Sequence, residues 1–381
     1  MSNLFVTASI LSLLFSATTE TSTVEVLTPQ GEWVDALIDE NGTIHSEDGI
    51  DLGSTALAWI PKSDGVGTIE RRPFSMTKLT DGQVIIATFG GFHIEPPGTI
   101  VRWKHPGMGM MDISVDRTSF IQMQPMEQPP VASNSDEIVL RNGDRIGGFI
   151  ESFEEPIIIE TAGVKREIPL ERVAGIALVS AQPKVAAVRV WLSDGSIIDG
   201  TSITGGFGGG FVLQGMSLGM SRSSQPILTD EIRCVSQSSK RMVPLSQFKP
   251  KVFPPISTSL PRAEYPMPIV STIEAPLGAT AIEIRGPERL VYEIPKGFSV
   301  FSADVEIPTS VLAWADCVFV IRQNGQELGR YSLNAKNSKA RIRVVVQPGP
   351  LEIEIEEAAG GPVGDTVILR RAILIDLAVG G

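Results

Sequence analysis

Along most of the chain, apolar and polar residues alternate with a period of two, in short runs broken by glycine, proline, asparagine and aspartate. Successive side chains leave opposite faces of a pleated strand, so this period predicts strands with one buried face. Long runs with the 3.6-residue spacing of amphipathic helices are few. The pattern predicts an all-β chain.

The turns between strands recur. They read Leu27-Thr-Pro-Gln-Gly31-Glu32, Leu79-Thr-Asp-Gly82-Gln83, Leu140-Arg-Asn-Gly143-Asp144 and Leu192-Ser-Asp-Gly195-Ser196, with glycines 51, 61 and 52 residues apart. Asn-Gly and Asp-Gly between apolar residues signal a hairpin, because these residues accept positive φ at low cost. A second anchor recurs downstream, as Ile113-Ser-Val115-Asp-Arg117 in the second copy and Ile168-Pro-Leu170-Glu-Arg172 in the third. The first copy closes with Ile50-Asp-Leu52 and then Ala56 to Ile60. Two anchors at matched spacing predict four copies of one small barrel or sandwich unit with four or five short strands. A unit of that size buries little alone, so the copies are expected to pack in pairs, two within 22–127 and two within 136–249. The polar, turn-rich segment from Gln128 to Asp136 is read as the linker between pairs.

A second linker, Pro250 to Pro261, opens a different pattern. Strands follow closely from Ala281, with a hairpin turn at Gln323-Asn-Gly-Gln-Glu327 and strict alternation in Leu351-Glu-Ile-Glu-Ile-Glu356. This density predicts a single β-sandwich of jelly-roll type over 262–378. The acids of the alternating strand are expected to form a solvated face that also protects a sheet edge from pairing.

Several segments of this third follow, in order, the motifs of a known module. Ile232-Arg-Cys-Val-Ser236 and Val243-Pro-Leu-Ser-Gln-Phe-Lys-Pro250 supply its lead-in. Ile284 to Ile294, Phe301 to Ile307, Cys317 to Leu328 and Leu351 to Gly360 match its successive strands. The region from about 230 to 376 thus resembles the NPCBM/NEW2 carbohydrate-binding module, associated with glycosyl hydrolase family 98. The repeats before it are similar to those that exported planctomycete-type bacterial proteins place upstream of such modules. The resemblance implies a galactose-binding-like sandwich that binds polysaccharide or a glycoconjugate. Two departures bear on the ligand: Arg285 stands where the family has histidine, and the family's acidic loop has become Glu357 to Thr366, which lacks most of those oxygen ligands.

Composition narrows the functional classes. The 381 residues carry a formal net charge of −12, which disfavours nucleic acid as a partner. Glycine (37) and proline (27) exceed average usage, as a turn-rich chain requires. Leu4 to Phe15 is an apolar run too short to span a bilayer, and its length fits a signal peptide over 1–19. The protein is therefore expected to be exported to the periplasm, cell surface or medium, with no membrane span in the mature chain. Cys234 and Cys317 are read as buried free thiols.

Candidate chemistry is sparse. Gly215-Met-Ser217-Leu-Gly219 has the spacing of a nucleophile elbow, but that fold needs a histidine downstream and His45, His93 and His105 all lie upstream. Gly205 to Gly210 lacks the Lys-Ser/Thr of a phosphate loop and is read as a hairpin loop. His105-Pro-Gly-Met108-Gly-Met110-Met111 offers soft ligands suited to Cu(I), against the plainer reading that the methionines fill gaps. No metal and no cofactor is expected. With three histidines and two cysteines, the chain is expected not to be an enzyme.

Sugar recognition needs an exposed aromatic platform for C–H faces beside planar polar groups for hydroxyls. The candidate carbohydrate-binding residues are Arg285, Trp314, Asp316, Arg330 and Tyr331. Trp314 lies in a stretch read as a loop, and its competing assignment is one more core aromatic. Trp33, Trp59, Trp103 and Trp191 sit in strand patterns and are read as core. The function expected is carbohydrate binding through the sandwich. The alternative is a structural or interaction module of the cell envelope with protein partners and no sugar.

Overall fold

In the computed structural model, the described residues are 22–39, 41–62, 75–96, 98–126, 129–130, 132, 134–179, 187–205, 210–216, 227–256, 265–273, 275–358, 361 and 364–377. The apolar run Leu4–Phe15 and Ser217 lie outside them, as do 206–209 of the glycine-rich loop. Among the described residues the chain is strands, turns and short 3-10 segments, with no α-helix. The all-β expectation holds.

The four repeated turns share one geometry. Gly31, Gly82, Gly143 and Gly195 have φ of 80°, 80°, 89° and 94°, the left-handed region glycine enters without a Cβ penalty. Each glycine N–H donates to the carbonyl three residues back, at Thr28, Leu79, Leu140 and Leu192. Each turn joins a first strand to a second: Ser22–Leu27 to Trp33–Ile38, Met76–Leu79 to Val84–Ile86, Asp136–Leu140 to Arg145–Ser152 and Val188–Leu192 to Ile197–Gly200. Each first strand also pairs with a closing strand: Ala58–Pro61, Thr118–Gln122, Val173–Ala177 or Ile232–Ser236. The downstream anchors form 3-10 turns just before three closing strands, at Val115–Arg117, Leu170–Arg172 and Thr229–Glu231. Their last carbonyls accept from the first turns, with Thr80 N to Arg117 O at 2.9 Å, Arg141 N to Arg172 O at 2.8 Å and Ser193 N to Glu231 O at 2.7 Å. The fourth copy thus has the second anchor too, as Ile227-Leu-Thr-Asp230-Glu231, which keeps the isoleucine and the acid of the others but not the arginine.

Pairing between units differs from expectation. The closing strand of the second unit pairs antiparallel with that of the third (Ile121 opposite Ile176), and that of the fourth with that of the first (Val235 opposite Trp59). The second and fourth units meet at Ile197 and Val84. The spatial order is therefore third, second, fourth, first, within a continuous sheet. Segment 128–136 does not separate two pairs. Each closing strand leaves one hydrogen-bonding edge open, and two such edges satisfy each other wherever the chain brings them together. Backbones meet closely where the first and fourth units touch: a Cβ on Gly205 would lie 1.8 Å from the Asn41 carbonyl oxygen.

The sandwich has a six-stranded and a five-stranded face. One runs Ile269–Val270, Ile282–Arg285, Thr366–Ile375, Val300–Glu306, Lys339–Val345, and Met242–Pro244 also pairs with Thr366–Ile375. The other runs Lys251–Phe253, Glu288–Ile294, Gly349–Glu357, Asp316–Gln323, Gln326–Asn334. Leu290, Phe301, Phe319 and Ile353 are fully buried between them. Met242–Pro244 and Lys251–Phe253 precede the start at 262 read from the sequence, so sandwich strands begin earlier in the chain.

A third apolar cluster joins the repeat body to the sandwich, including Leu27, Trp33 and Trp191 from the body and Val300, Ile373 and Ile375 from the sandwich. Charge reinforces it. Arg371 lies over the Trp33 ring at 4.7 Å and pairs with Glu25 at 2.6 Å, and Arg341 pairs with Glu25 at 2.6 Å. Burial raises the Glu25 carboxyl's proton affinity, but hydrogen bonds from Arg341 and Arg371 outweigh it and hold its pKa below the usual range. The two parts form a docked unit.

Trp59 and Trp103 are fully buried and Trp33 and Trp191 nearly so, as expected. Cys234 and Cys317 are free and buried, and burial pushes the Cys317 thiol up to about 12.

Candidate functional site

The candidate carbohydrate residues divide between three environments. Trp314 lies on the turn between Val300–Glu306 and Asp316–Gln323, where Val311 and Leu312 pack on the core and Trp314 projects outward, 67% exposed. The Trp314 N–H donates to the Val311 carbonyl at 3.0 Å, which fixes the turn. Beside it runs the loop after Glu357: a Cβ on Gly364 would sit 3.5 Å from the Trp314 Cβ. Asp316 is half-buried two residues on, and its carbonyl accepts from Ala358 N–H at 3.2 Å.

Arg285 belongs to the same end of the sandwich. It faces Thr366 across the ladder, and the next residue, Gly286, donates to the Asp365 carbonyl at 2.6 Å. Its exposed guanidinium pairs with Glu283 at 2.8 Å. Two carboxylates lie buried at this end, Glu288 at 0% and Asp365 at 2% exposure. Sequence reasoning did not single out Glu288. The signal was available, since it occupies an inward position of an alternating strand whose next inward residues are Leu290 and Tyr292.

Arg330 and Tyr331 do not join this group. Adjacent residues on a strand point to opposite faces. Tyr331 turns inward, packs on the core, lies 6.4 Å from the Phe319 ring and covers Gly329. Arg330 turns outward into an ion-pair ladder, meeting Glu356 at 2.7 Å and Glu327 at 2.9 Å. The end of the sandwich therefore gathers Trp314, Asp316 and Arg285, while Arg330 and Tyr331 hold the fold.

That ladder corrects the reading of Leu351 to Glu357. Leu351, Ile353 and Ile355 point into the core as expected, but the acids between them are not a solvated face. The strand Gly349–Glu357 is central, flanked by Glu288–Ile294 and Asp316–Gln323, and guards no edge. Its neighbours present arginines across from its acids. Arg289 pairs with Glu352 at 2.9 Å, and Arg322 bridges Glu354 and Glu356. The Glu354 side chain is 0% exposed and also accepts from Ile256 N–H at 2.6 Å. Burial alone would raise the Glu356 pKa, yet hydrogen bonds from Arg330 and Arg322 keep it below the usual carboxylate range.

The histidine–methionine cluster serves packing. His105 Nδ1 accepts from the Gly107 and Met108 backbone N–H groups, both at 3.1 Å, and Nε2 lies 2.8 Å from Asp194 Oδ2. Both ring nitrogens are thus engaged. Met108 and Met111 are buried in the body core, which leaves Met110 as the exposed thioether. Asp194, opposed by burial, is held below its usual pKa by His105 and by the Ser196 backbone N–H. This pair locks the second unit to the fourth. Among the described residues no cluster of three histidine, cysteine or acidic side chains could hold a metal.

No family model and no curated protein matches this chain. Solved structures are similar at low identity. One is the CBM51 of a Clostridium perfringens GH95 protein in complex with methyl-galactose, at 13% identity and a TM-score of 0.24, covering 25% of this chain and 70% of that one. A second comprises the CBM51-2 and INT domains of ZmpB from the same organism, at 12% and 0.25, covering 71% of this chain and 44% of that one. A third holds the M60 catalytic domain of ZmpB with its CBM51-1 and CBM51-2 domains, at 10% and 0.26, covering 94% and 52%. The chain spans about half the length of each ZmpB structure.

Proposed function

We propose that this protein binds carbohydrate through the end of its C-terminal sandwich, with Trp314 as the stacking platform, and does so without catalysing a reaction. The observation that carries the reading is the exposure of Trp314. An indole held two-thirds in water, on a turn fixed by its own backbone hydrogen bond, is apolar surface that folding has not used. On this reading Asp316 and Arg285, at the same end of the sandwich, bond hydroxyls around a stacked ring. The non-catalytic part rests on what is committed elsewhere: both nitrogens of His105 are engaged and both thiols are buried with raised pKa. Export fits the apolar run Leu4–Phe15.

A glycan array probed with the full chain, followed by titration of the best hits, tests the reading. Trp314→Ala should abolish binding while leaving the unfolding temperature unchanged, since the indole contributes little to the core. Binding unaltered by Trp314→Ala, or no binding to any glycan, overturns it. The docking of the sandwich onto the repeat body, through an apolar cluster and shared ion pairs, favours a second reading as an envelope scaffold. Crosslinking on native envelopes would then capture protein partners independently of Trp314.

A further inference from the structure

Where the repeat body meets the sandwich, a cleft of about 1210 Å³ stays open beside the apolar cluster that joins them. The body contributes Ile60, Pro61 and Arg233, and the sandwich contributes Glu306, Lys339 and Arg370, among others. Five cations and three carboxylates line it in all. The balance is uneven along its length. Arg341 and Arg371 are matched by Asp304 and Glu25. Among the described residues Glu306 serves both Lys339, at 3.2 Å, and Arg370, at 2.5 Å, and the remaining lining carboxylate is Asp230, three residues before Arg233. Arg233 is half-buried and has no ion-pair partner among the described residues.

The backbone is distorted to present these charges. The ladder between Val300–Glu306 and Thr366–Ile375 slips: Ser302 faces Ile373 but Asp304 faces Arg370, so Arg371 and Ala372 share one partner. Arg371 takes φ of 49°, a left-handed conformation that a residue with a Cβ rarely adopts. Leu369 and Ala372 both enter the core, and the two arginines between them both project outward. Without the bulge one of the pair would point into the sandwich. Bulges that re-aim side chains concentrate beside binding sites. Docking onto the repeat body accounts for Arg371, which lies over Trp33; it does not account for Arg370.

We propose that this cleft binds a saccharide that carries a carboxylate, held by Arg233 and Arg370 at its acid group. The mixed lining sets the class. Excess positive charge calls for an acid. Glu306 on the same wall would repel a bare anion but accepts hydroxyl donors, which a sugar acid supplies. Ile60, Pro61 and Pro276 offer apolar surface for its C–H faces. The site lies on the outer face of the sheet carrying Arg370 and does not include Trp314, so it stands or falls separately from the stacking platform.

Isothermal titration of the full chain with trigalacturonate and with neutral galactotriose, at low salt, tests the proposal. Trigalacturonate should bind at least about tenfold more tightly, with an advantage that shrinks as salt rises. Arg233→Gln with Arg370→Gln should remove that advantage without changing the unfolding temperature, and Trp314→Ala should leave it intact. Equal affinity for the two sugars, no trigalacturonate binding, an advantage that survives the double substitution or one lost with Trp314→Ala would overturn it. Competition by inorganic phosphate as effective as galacturonate would overturn the saccharide assignment.

Discussion

Replacing Arg322 by methionine tests whether the charge ladder of the sandwich behaves as a buried network. Arg322 is 16% exposed and bonds both Glu354 and Glu356, whose side chains are 0% and 12% exposed. Methionine keeps most of the aliphatic bulk and removes the cation. Glu356 retains Arg330, but Glu354 is left in the interior with only the Ile256 N–H. Removing one partner of a buried pair costs about 3–5 kcal/mol, and the retained hydrogen bond argues for the lower end, about 3 kcal/mol. At about 2–4 °C per kcal/mol, the unfolding temperature should fall by about 6–12 °C. Adding Glu354→Gln removes the stranded charge while an amide oxygen still accepts from Ile256 N–H, so the double variant should recover most of the loss. Urea unfolding, with hydrogen exchange along Gly349–Glu357 reporting on the sandwich, measures both variants. A loss below about 1 kcal/mol, or equal losses in the single and double variants, would refute a desolvated network and return these acids to a solvated face.

Acid should weaken the protein in a definite direction. Glu25, Glu306, Glu356 and Asp194 are all held below their ordinary pKa values, so they bind protons more weakly folded than unfolded. Their stabilisation is complete above the ordinary glutamate value of 4.5 and is lost as pH falls below it through the lowered values. Thermal unfolding should be flat above about pH 5 and fall steeply below about pH 4; a rise on acidification would contradict the assignment. Gly205→Ala would drive a methyl group into the Asn41 carbonyl where the first and fourth units meet, and should cost about 3 kcal/mol or more in denaturant unfolding. Gly325→Ala meets nothing within 4 Å, so only its φ of 75° opposes it, and the loss should stay near 1 kcal/mol.

The local parts of this structure were legible because local chemistry determines them. Gly82, Gly143 and Gly195 adopt the positive φ that their Asp-Gly and Asn-Gly contexts call for, Gly31 does so after Pro29-Gln30, and Asn324-Gly325 does the same, with φ of 52° and 75°. The period-two pattern located the strands and the inward faces. It gave no account of which strand lies beside which, because alternation defines a face and not a neighbour. Hence the acids of Leu351 to Glu357 read as solvent-facing, although Arg289, Arg322 and Arg330 stand across from them on strands distant in sequence. Arg330 and Tyr331 were grouped as one site although consecutive strand positions diverge, which the period itself could have shown. The bulge left a trace as well: Leu369-Arg-Arg-Ala372 breaks the alternation within an otherwise regular strand.

The order of the units along the shared sheet constrains how the chain can be made. The first unit's closing strand, Ala58–Pro61, finds its outer partner only in Ile232–Ser236, after the second and third units have been synthesised. A nascent chain therefore carries an open strand edge through nearly half of the 381 residues, and contacts of such long range close slowly. Cutting the polypeptide in segment 128–136 should not release two halves. The fragments would stay together through the strands of the second unit, which pair with the third on one side and the fourth on the other. Neither half should refold alone. In this molecule the peptide chain and the cooperative folding unit have different boundaries, and the interleaved sheet is what separates them.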